Sequence, residues 1–161
     1  MRPKPGWKQL TASPLDAWAL GFGAGLSRWA PGTVGTALAL PAWGWLSSAA
    51  PLGLYLLLLG AAIVLGVWAA ATATRRLGVD DHPAIVCDEM AAIGVVLLGV
   101  PAEPLWLLLG FALFRLFDIT KPWPVRWADR RIKGGWGIMF DDLLAAGYAW
   151  LALQAVRWLV F

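Results

Sequence analysis

The sequence predicts an all-α, polytopic helical membrane protein with about five membrane segments. Three observations carry this reading. Of 161 residues, 60% are hydrophobic and only 14% charged, more apolar surface than one small core can hide and too little charge for a disordered chain. The run from Leu52 to Thr74 holds no charged residue and exceeds the roughly 20 residues that cross a bilayer. Twelve tryptophans suit a chain with two membrane interfaces, where indole rings settle. A net charge of +3 is too mild to suggest nucleic acid. The single cysteine, Cys87, excludes an intrachain disulfide and any CxxC site.

Taken in order, the stretch Leu15 to Leu26 follows Lys4 and Lys8 and has the outline of a signal peptide. Gly21, Gly23 and Gly25 interrupt it, and it is expected to stay in the mature chain. The first membrane segment is Gly35 to Ala50, interrupted by Pro41 and Gly44, and the second is Leu52 to Thr74. The third begins at Asp88-Glu89 and stops at Pro101; the fourth runs from Pro104 to Phe114. The last covers Leu143 to Phe161, interrupted by Arg157. Segments three and four are short. They form a hairpin that either spans by drawing Asp88, Glu89 and Arg115 below the headgroups or re-enters on the same side. No repeat or linker divides the chain, so one membrane-embedded domain over residues 1–161 is expected.

Charge placement gives the sidedness. Residues 1–33 carry Arg2, Lys4, Lys8 and Arg28, and residues 74–89 carry Arg75 and Arg76. Residues 115–142 carry Arg115, Lys121, Arg126, Arg130, Arg131 and Lys133, which leaves only Arg157 elsewhere. By the positive-inside tendency these three regions face the cytoplasm, and the short connections Ser47–Pro51 and Pro101–Pro104 face out.

The same three regions hold Asp16, Asp80, Asp81, Asp88, Glu89, Asp118, Asp129, Asp141, Asp142 and the only histidine, His82. Charge at a membrane boundary is costly and usually has a partner or a task. Carboxylate oxygens suit a hard divalent cation such as Mg²⁺, and guanidinium forks suit phosphate. Together they point to phosphate chemistry on the cytoplasmic side. The glycines of Gly21-Phe22-Gly23-Ala24-Gly25-Leu26-Ser27 and the run Ala30-Pro31-Gly32-Thr33 offer either a phosphate cradle or close helix contacts. There is no GK[ST] and no βαβ context, so neither is a nucleotide fingerprint. Asp88 and Glu89 either complement a helix dipole or, about 100° apart, reach one or two cations from different angles. Arg115, Asp118 and Lys121 recur every three residues, along one helix face, before Pro122 and Pro124 break it. Arg131 and Lys133 read as ordinary loop charge.

Four strings, GFGAGLS…APGT, DH…IVCDE, FRLFDITKPWPVRWADR and GGWGIMFDDLLAAG, occur in this order. They resemble the bacterial phosphatidylglycerophosphatase A family over residues 19–148. The resemblance implies a Mg²⁺-dependent phosphatase of the inner membrane, its site facing the cytoplasm, that removes the terminal phosphate of phosphatidylglycerophosphate during phospholipid synthesis. Carried over by motif, Asp88, Glu89, Asp141 and Asp142 are the expected metal ligands. Arg115, Lys121, Arg126 and Arg130, with Ser27 and Thr33, are expected on the substrate phosphate. Asp118, Asp81 and His82 are the candidate acids and bases. Cys87, Arg28, Asp80 and Thr36 stand where Trp, Pro, His and Ser are expected, and none of them replaces a candidate ligand.

A covalent phosphoenzyme is disfavoured. Ile93 stands where a cysteine phosphatase needs arginine, and there is no second histidine. Competing readings are another lipid-phosphate enzyme, either a phosphatidic or lysophosphatidic acid phosphatase or a phospholipid transferase, and a non-enzymatic transporter. The partners expected are the lipid substrate and the bilayer. Gly and Ala on the helices allow a homodimer without requiring one.

Overall fold

The computed structural model describes residues 5–160; Arg2 and Lys4 of the charge reading, and Phe161, lie outside the described residues. Short helices α1 (Trp7–Leu10) and α2 (Pro14–Ala19) lead into a 3₁₀ turn, Gly21–Leu26. The longer elements follow: α3 (Pro31–Ala49), α4 (Leu52–Leu77), α5 (Cys87–Val96), α6 (Pro104–Thr120), α7 (Val125–Arg131) and α8 (Gly134–Val160). No strand occurs among the described residues. Proline marks the starts: Pro31 and Pro104 stand in the first turns of α3 and α6, where a missing N–H costs nothing. Left-handed residues mark two ends. Gly78 closes α4 at φ +65° and Lys121 closes α6 at φ +43°.

The core is organised around a short helix. Helix α5 has 10 residues, about 15 Å of rise, and is enclosed by α3, α4 and α8 with α6 beside it. Ala91, Ala92, Ile93 and Val96 have no exposed surface. Two aromatic side chains fasten α5 to its neighbours through its own backbone. Trp43 Nε1 donates to Met90 O at 2.9 Å, and Tyr55 OH donates to Gly94 O at 2.6 Å. Gly94 is required there, because a Cβ would lie 2.7 Å from the Trp43 ring.

Two helices, α4 with 26 residues and α8 with 27, are long and apolar enough to cross a membrane. Leu52, Leu57, Val64 and Trp68 point outward from α4, a continuous apolar exposure that water does not favour. The expected segments shift at their charged ends. Helix α3 starts at Pro31 rather than Gly35, α6 continues through Arg115 and Asp118 to Thr120, and α8 starts nine residues before Leu143. The third segment contracts to α5, too short to cross ~30 Å of hydrocarbon. In the extensions of α6 and α8, Arg115, Asp118 and Asp141 pair with other protein groups, so these helices continue past the point where an apolar run stops.

The N-terminal elements dock on the end of α4. Ser13 caps α2 by accepting Asp16 N–H, and the buried Asp16 carboxylate pairs with Arg76 of α4. Within the glycine-rich turn, Gly21 (φ +55°) and Gly25 serve close approach: a Cβ at Gly25 would lie 2.0 Å from Ala84 O.

Candidate active site

Four helix ends meet at one pocket. Asp88 and Glu89 stand in the first turn of α5, Arg115 and Asp118 in the last turns of α6, and Asp141 and Asp142 two turns into α8; the first turn of α3 closes the pocket. One carboxylate oxygen from each of Asp88, Glu89 and Asp142 lies within 4.8 Å of the other two. Asp88 and Asp142 are buried and Glu89 nearly so, and Asp88 Oδ1, Glu89 Oε2 and Asp142 Oδ2 receive no hydrogen bond. Three carboxylates held this close, each with a buried oxygen that receives no hydrogen bond, cost several kcal/mol in their charged form unless a cation accompanies them. The donor set is all oxygen and short in reach, as a hard divalent cation of the Mg²⁺ class prefers. The residues present therefore fit such an ion.

The electrostatics agree. Burial raises the Asp88 carboxyl well above its ordinary range, and the charges of Glu89 and Asp142 add to this. Burial likewise raises Glu89, which Arg115 only partly offsets. Burial, reinforced by Glu89, also pushes the Cys87 thiol up to about 12. Its Sγ faces Gly66 O at 3.6 Å, so Cys87 is a packed thiol with no thiolate character at neutral pH.

Arg115 stands beside the carboxylates. Its Nη1 is 3.8 Å from Glu89 Oε1 and 2.6 Å from Asp118 Oδ2. The shorter contact is a charge pair without hydrogen-bond alignment, because Nη1 and Nε both remain without a hydrogen-bonded partner. These buried donors lie beside Glu89 and Asp118. Gly32 reaches it from α3: a Cβ there would lie 1.9 Å from Glu89 Oε1 and 3.3 Å from Arg115 Nη1. Only glycine lets the start of α3 come so close, and the first N–H groups of a helix lack intrahelical acceptors.

A second charged group adjoins the first. Lys121 Nζ donates to Asp129 Oδ1 at 2.7 Å and to Asp141 Oδ2 at 2.6 Å. Burial works against its ammonium, but the hydrogen bonds to Asp129 and Asp141 outweigh it and hold Lys121 above its ordinary range. Asp80 and Asp81 line a cavity of about 30 Å³ with Asp129 and Asp141, room for about one water.

The predicted residues are thus divided by the fold. Asp88, Glu89, Asp142, Arg115 and Asp118 come together. Asp141, expected among the metal ligands, turns to Lys121 instead, because adjacent residues on a helix diverge by about 100°. His82 is buried in its loop, where Nδ1 accepts Ala84 N–H at 3.1 Å and its carbonyl accepts Ile85 N–H at 2.8 Å. That arrangement places the proton of a neutral imidazole on Nε2. Ser27 Oγ is engaged in its own turn, donating to Trp29 O and accepting Trp29 N–H. Thr33 lies in the first turn of α3 next to Gly32. Arg126 and Arg130 line a separate cleft that does not include Arg115. The run Ala30-Pro31-Gly32-Thr33, read from sequence as a phosphate cradle or a close helix contact, did not single out Gly32 as the residue that brings α3 to Glu89 and Arg115. Sequence reasoning also dismissed Arg131, which shares that cleft.

A family model described as Phosphatidylglycerophosphatase A matches residues 17–157. Phosphatidylglycerophosphatase A of Escherichia coli is 41% identical over 135 residues, 83% of this chain and 78% of that protein. The Haemophilus influenzae protein of the same name is 38% identical over 147 residues, 91% of this chain and 90% of that protein. A Bacteroides thetaiotaomicron protein with the provisional name phosphatidylinositol-3-phosphatase is 40% identical, covering 87% of this chain and 91% of its own length. No solved structure matches.

Proposed function

The chain belongs to the phosphatidylglycerophosphatase A family, and from that premise we propose that it hydrolyses the terminal phosphate monoester of phosphatidylglycerophosphate, with Mg²⁺ held by Asp88, Glu89 and Asp142. The observation that carries this reading is the carboxylate cluster of Asp88, Glu89 and Asp142, each with an oxygen that receives no hydrogen bond, beside Arg115 donors that make charge contacts but no hydrogen bond. Cation and anion sites in contact are what binding a metal-phosphate pair requires.

A divalent ion there would supply Lewis acidity and offset charge on the phosphate. The chain's own residues do the rest. Arg115 Nε and Nη1 donate to phosphate oxygens and stabilise them as charge redistributes. Asp118, oriented by Arg115, is the base for the attacking water. The glycine at position 32 lets the start of α3 close against Glu89 and Arg115, so that its first N–H groups come near the phosphate they would bind. Water attacks phosphorus as Asp118 takes its proton, the bond to the glycerol oxygen breaks, that oxygen takes a proton from solvent water, and the products are phosphatidylglycerol and inorganic phosphate. Asp141 and Lys121 form a structural pair that fixes the end of α6 on α8, and His82 shapes its loop.

The apolar faces of α4 and α8 support a membrane-embedded enzyme whose lipid substrate keeps its chains in the bilayer. The positive-inside pattern supports the cytoplasmic side of the bacterial inner membrane. Whether α3 and α6 add crossings to α4 and α8 is read by cysteine accessibility from either side. The function is tested by phosphate release from phosphatidylglycerophosphate by purified protein in neutral detergent, with and without EDTA. Release is expected to stop with EDTA and return with Mg²⁺; undiminished release after thorough metal removal rejects the ligand assignment. Phosphatidylinositol 3-phosphate is the second substrate to offer, because the Bacteroides relative is named for it. Like phosphatidylglycerophosphate, it carries a phosphate monoester and a phosphate diester in one headgroup.

A further inference from the structure

Helix α7 and the segment before it form a cleft of about 450 Å³ lined by Lys121, Trp123, Arg126, Trp127, Arg130 and Arg131. Four of those six side chains are cationic. Arg126, Arg130 and Arg131 are exposed, and among the described residues none has a carboxylate within ion-pair distance; the one hydrogen bond given by Arg126 goes to Thr120 O at 3.3 Å. Trp123 is 79% exposed and Trp127 50%, as indoles at a headgroup level are. The contrast with other surface cations is informative. Arg76 pairs with Asp16, and Lys133 donates to Asp129 O at 3.0 Å. The α7 arginines are left facing a cavity with no internal counter-charge. Lys121 connects the two places, since it lines the cleft while bonding Asp141, the neighbour of Asp142.

We infer that this cleft is a second phosphate subsite, which takes the diester phosphate of the lipid whose monoester phosphate lies at Asp88, Glu89 and Asp142. The inference rests on the proposed reaction for its substrate. Guanidinium groups bind a phosphate diester through paired N–H donors, the tryptophans set the depth at which that diester sits, and the glycerol between the two phosphates bridges from cleft to cluster. The cleft therefore selects lipids that carry a diester besides the phosphate to be removed, and disfavours phosphatidic acid, whose only phosphate is a monoester.

The test is the triple replacement Arg126→Gln, Arg130→Gln, Arg131→Gln in full-length protein, diluted in neutral-detergent micelles. The ratio of kcat/KM for phosphatidylglycerophosphate to that for phosphatidic acid is expected to fall about tenfold, mostly through KM. If phosphatidic acid is not cleaved, its inhibition constant replaces the second value. An unchanged ratio overturns the subsite, as does an equal loss on both lipids, which would identify general attraction for anionic lipid. A second measurement needs no turnover. Quenching of tryptophan fluorescence by brominated-chain phosphatidylglycerol, a diester alone, is expected to need at least about threefold more lipid in the triple variant than in wild type. Quenching by brominated phosphatidic acid is expected to shift less; equal shifts, or none, reject the subsite. A wild-type protein that releases no phosphate from phosphatidylglycerophosphate would sink the proposed reaction, while the quenching still rules on the cleft.

Discussion

The two ends of α5 treat polar atoms in opposite ways. Beyond its C-terminal end, Leu98 O accepts from Trp150 Nε1 at 3.0 Å and Gln154 Nε2 at 3.4 Å, and Gly99 O accepts from Arg157 Nη1 at 2.8 Å. Three residues of α8, about one turn apart, bond the carbonyls of the turn that follows the helix. At the N-terminal end, Asp88, Glu89 and Asp142 crowd together, and each keeps one buried oxygen without a donor. The same helix is clamped by α8 at one end and meets a cluster of repelling α8 and α5 carboxylates at the other. Satisfied polar groups at the first end are architecture. Unsatisfied ones at the second are held there by the rest of the fold, the arrangement expected where a ligand completes the site.

This contrast is open to direct attack. The largest effect is expected from Asp142→Asn, which should lower phosphate release by about 100-fold or more. The metal-free variant should also melt at a higher temperature than metal-free wild type, because a buried, unpaired charge is gone. Near wild-type turnover, or a lower melting temperature, would make Asp142 structural. Next is the metal itself. At 100 times its dissociation constant, Mg²⁺ should stabilise wild type by about 2.7 kcal/mol and leave Asp142→Asn almost unmoved; equal stabilisation of both proteins would place the ion elsewhere. Gly32→Ala should then cost roughly 10- to 100-fold in turnover, since its methyl enters space beside Glu89 and Arg115; a loss below about twofold would show that α3 does not shape the pocket. The smallest effect belongs to the other end. Arg157→Ala should reduce stability by about 1 kcal/mol and change turnover less than about twofold. A tenfold fall in turnover would mean that the two ends are not separable.

The charge-bearing motifs were legible because each combines residue types that a membrane boundary tolerates only for a reason. Asp88-Glu89, Arg115 with Asp118, and Asp141-Asp142 all stand at helix ends that the sequence pattern places on one side. Their division of labour was not legible. Asp141 and Asp142 are equivalent in a string, yet one bonds Lys121 and the other joins the carboxylate cluster. Arg130 and Arg131 are likewise neighbours, and only the surface around α7 shows that both line one cleft with Arg126. Spacing along the chain fixes angles on a helix, not which neighbour each angle faces.

By itself, then, the sequence determined the helical class, the apolar faces, the side on which charge collects and the family to which the motifs belong, because those depend on composition and local order. Tertiary structure alone decided that α5 is a short central post rather than a crossing, that Gly32 must lack a side chain, and that three carboxylates share one unsatisfied pocket. These depend on contacts between α3, α5, α6 and α8, residues up to about a hundred positions apart, whose mutual distances no periodicity encodes.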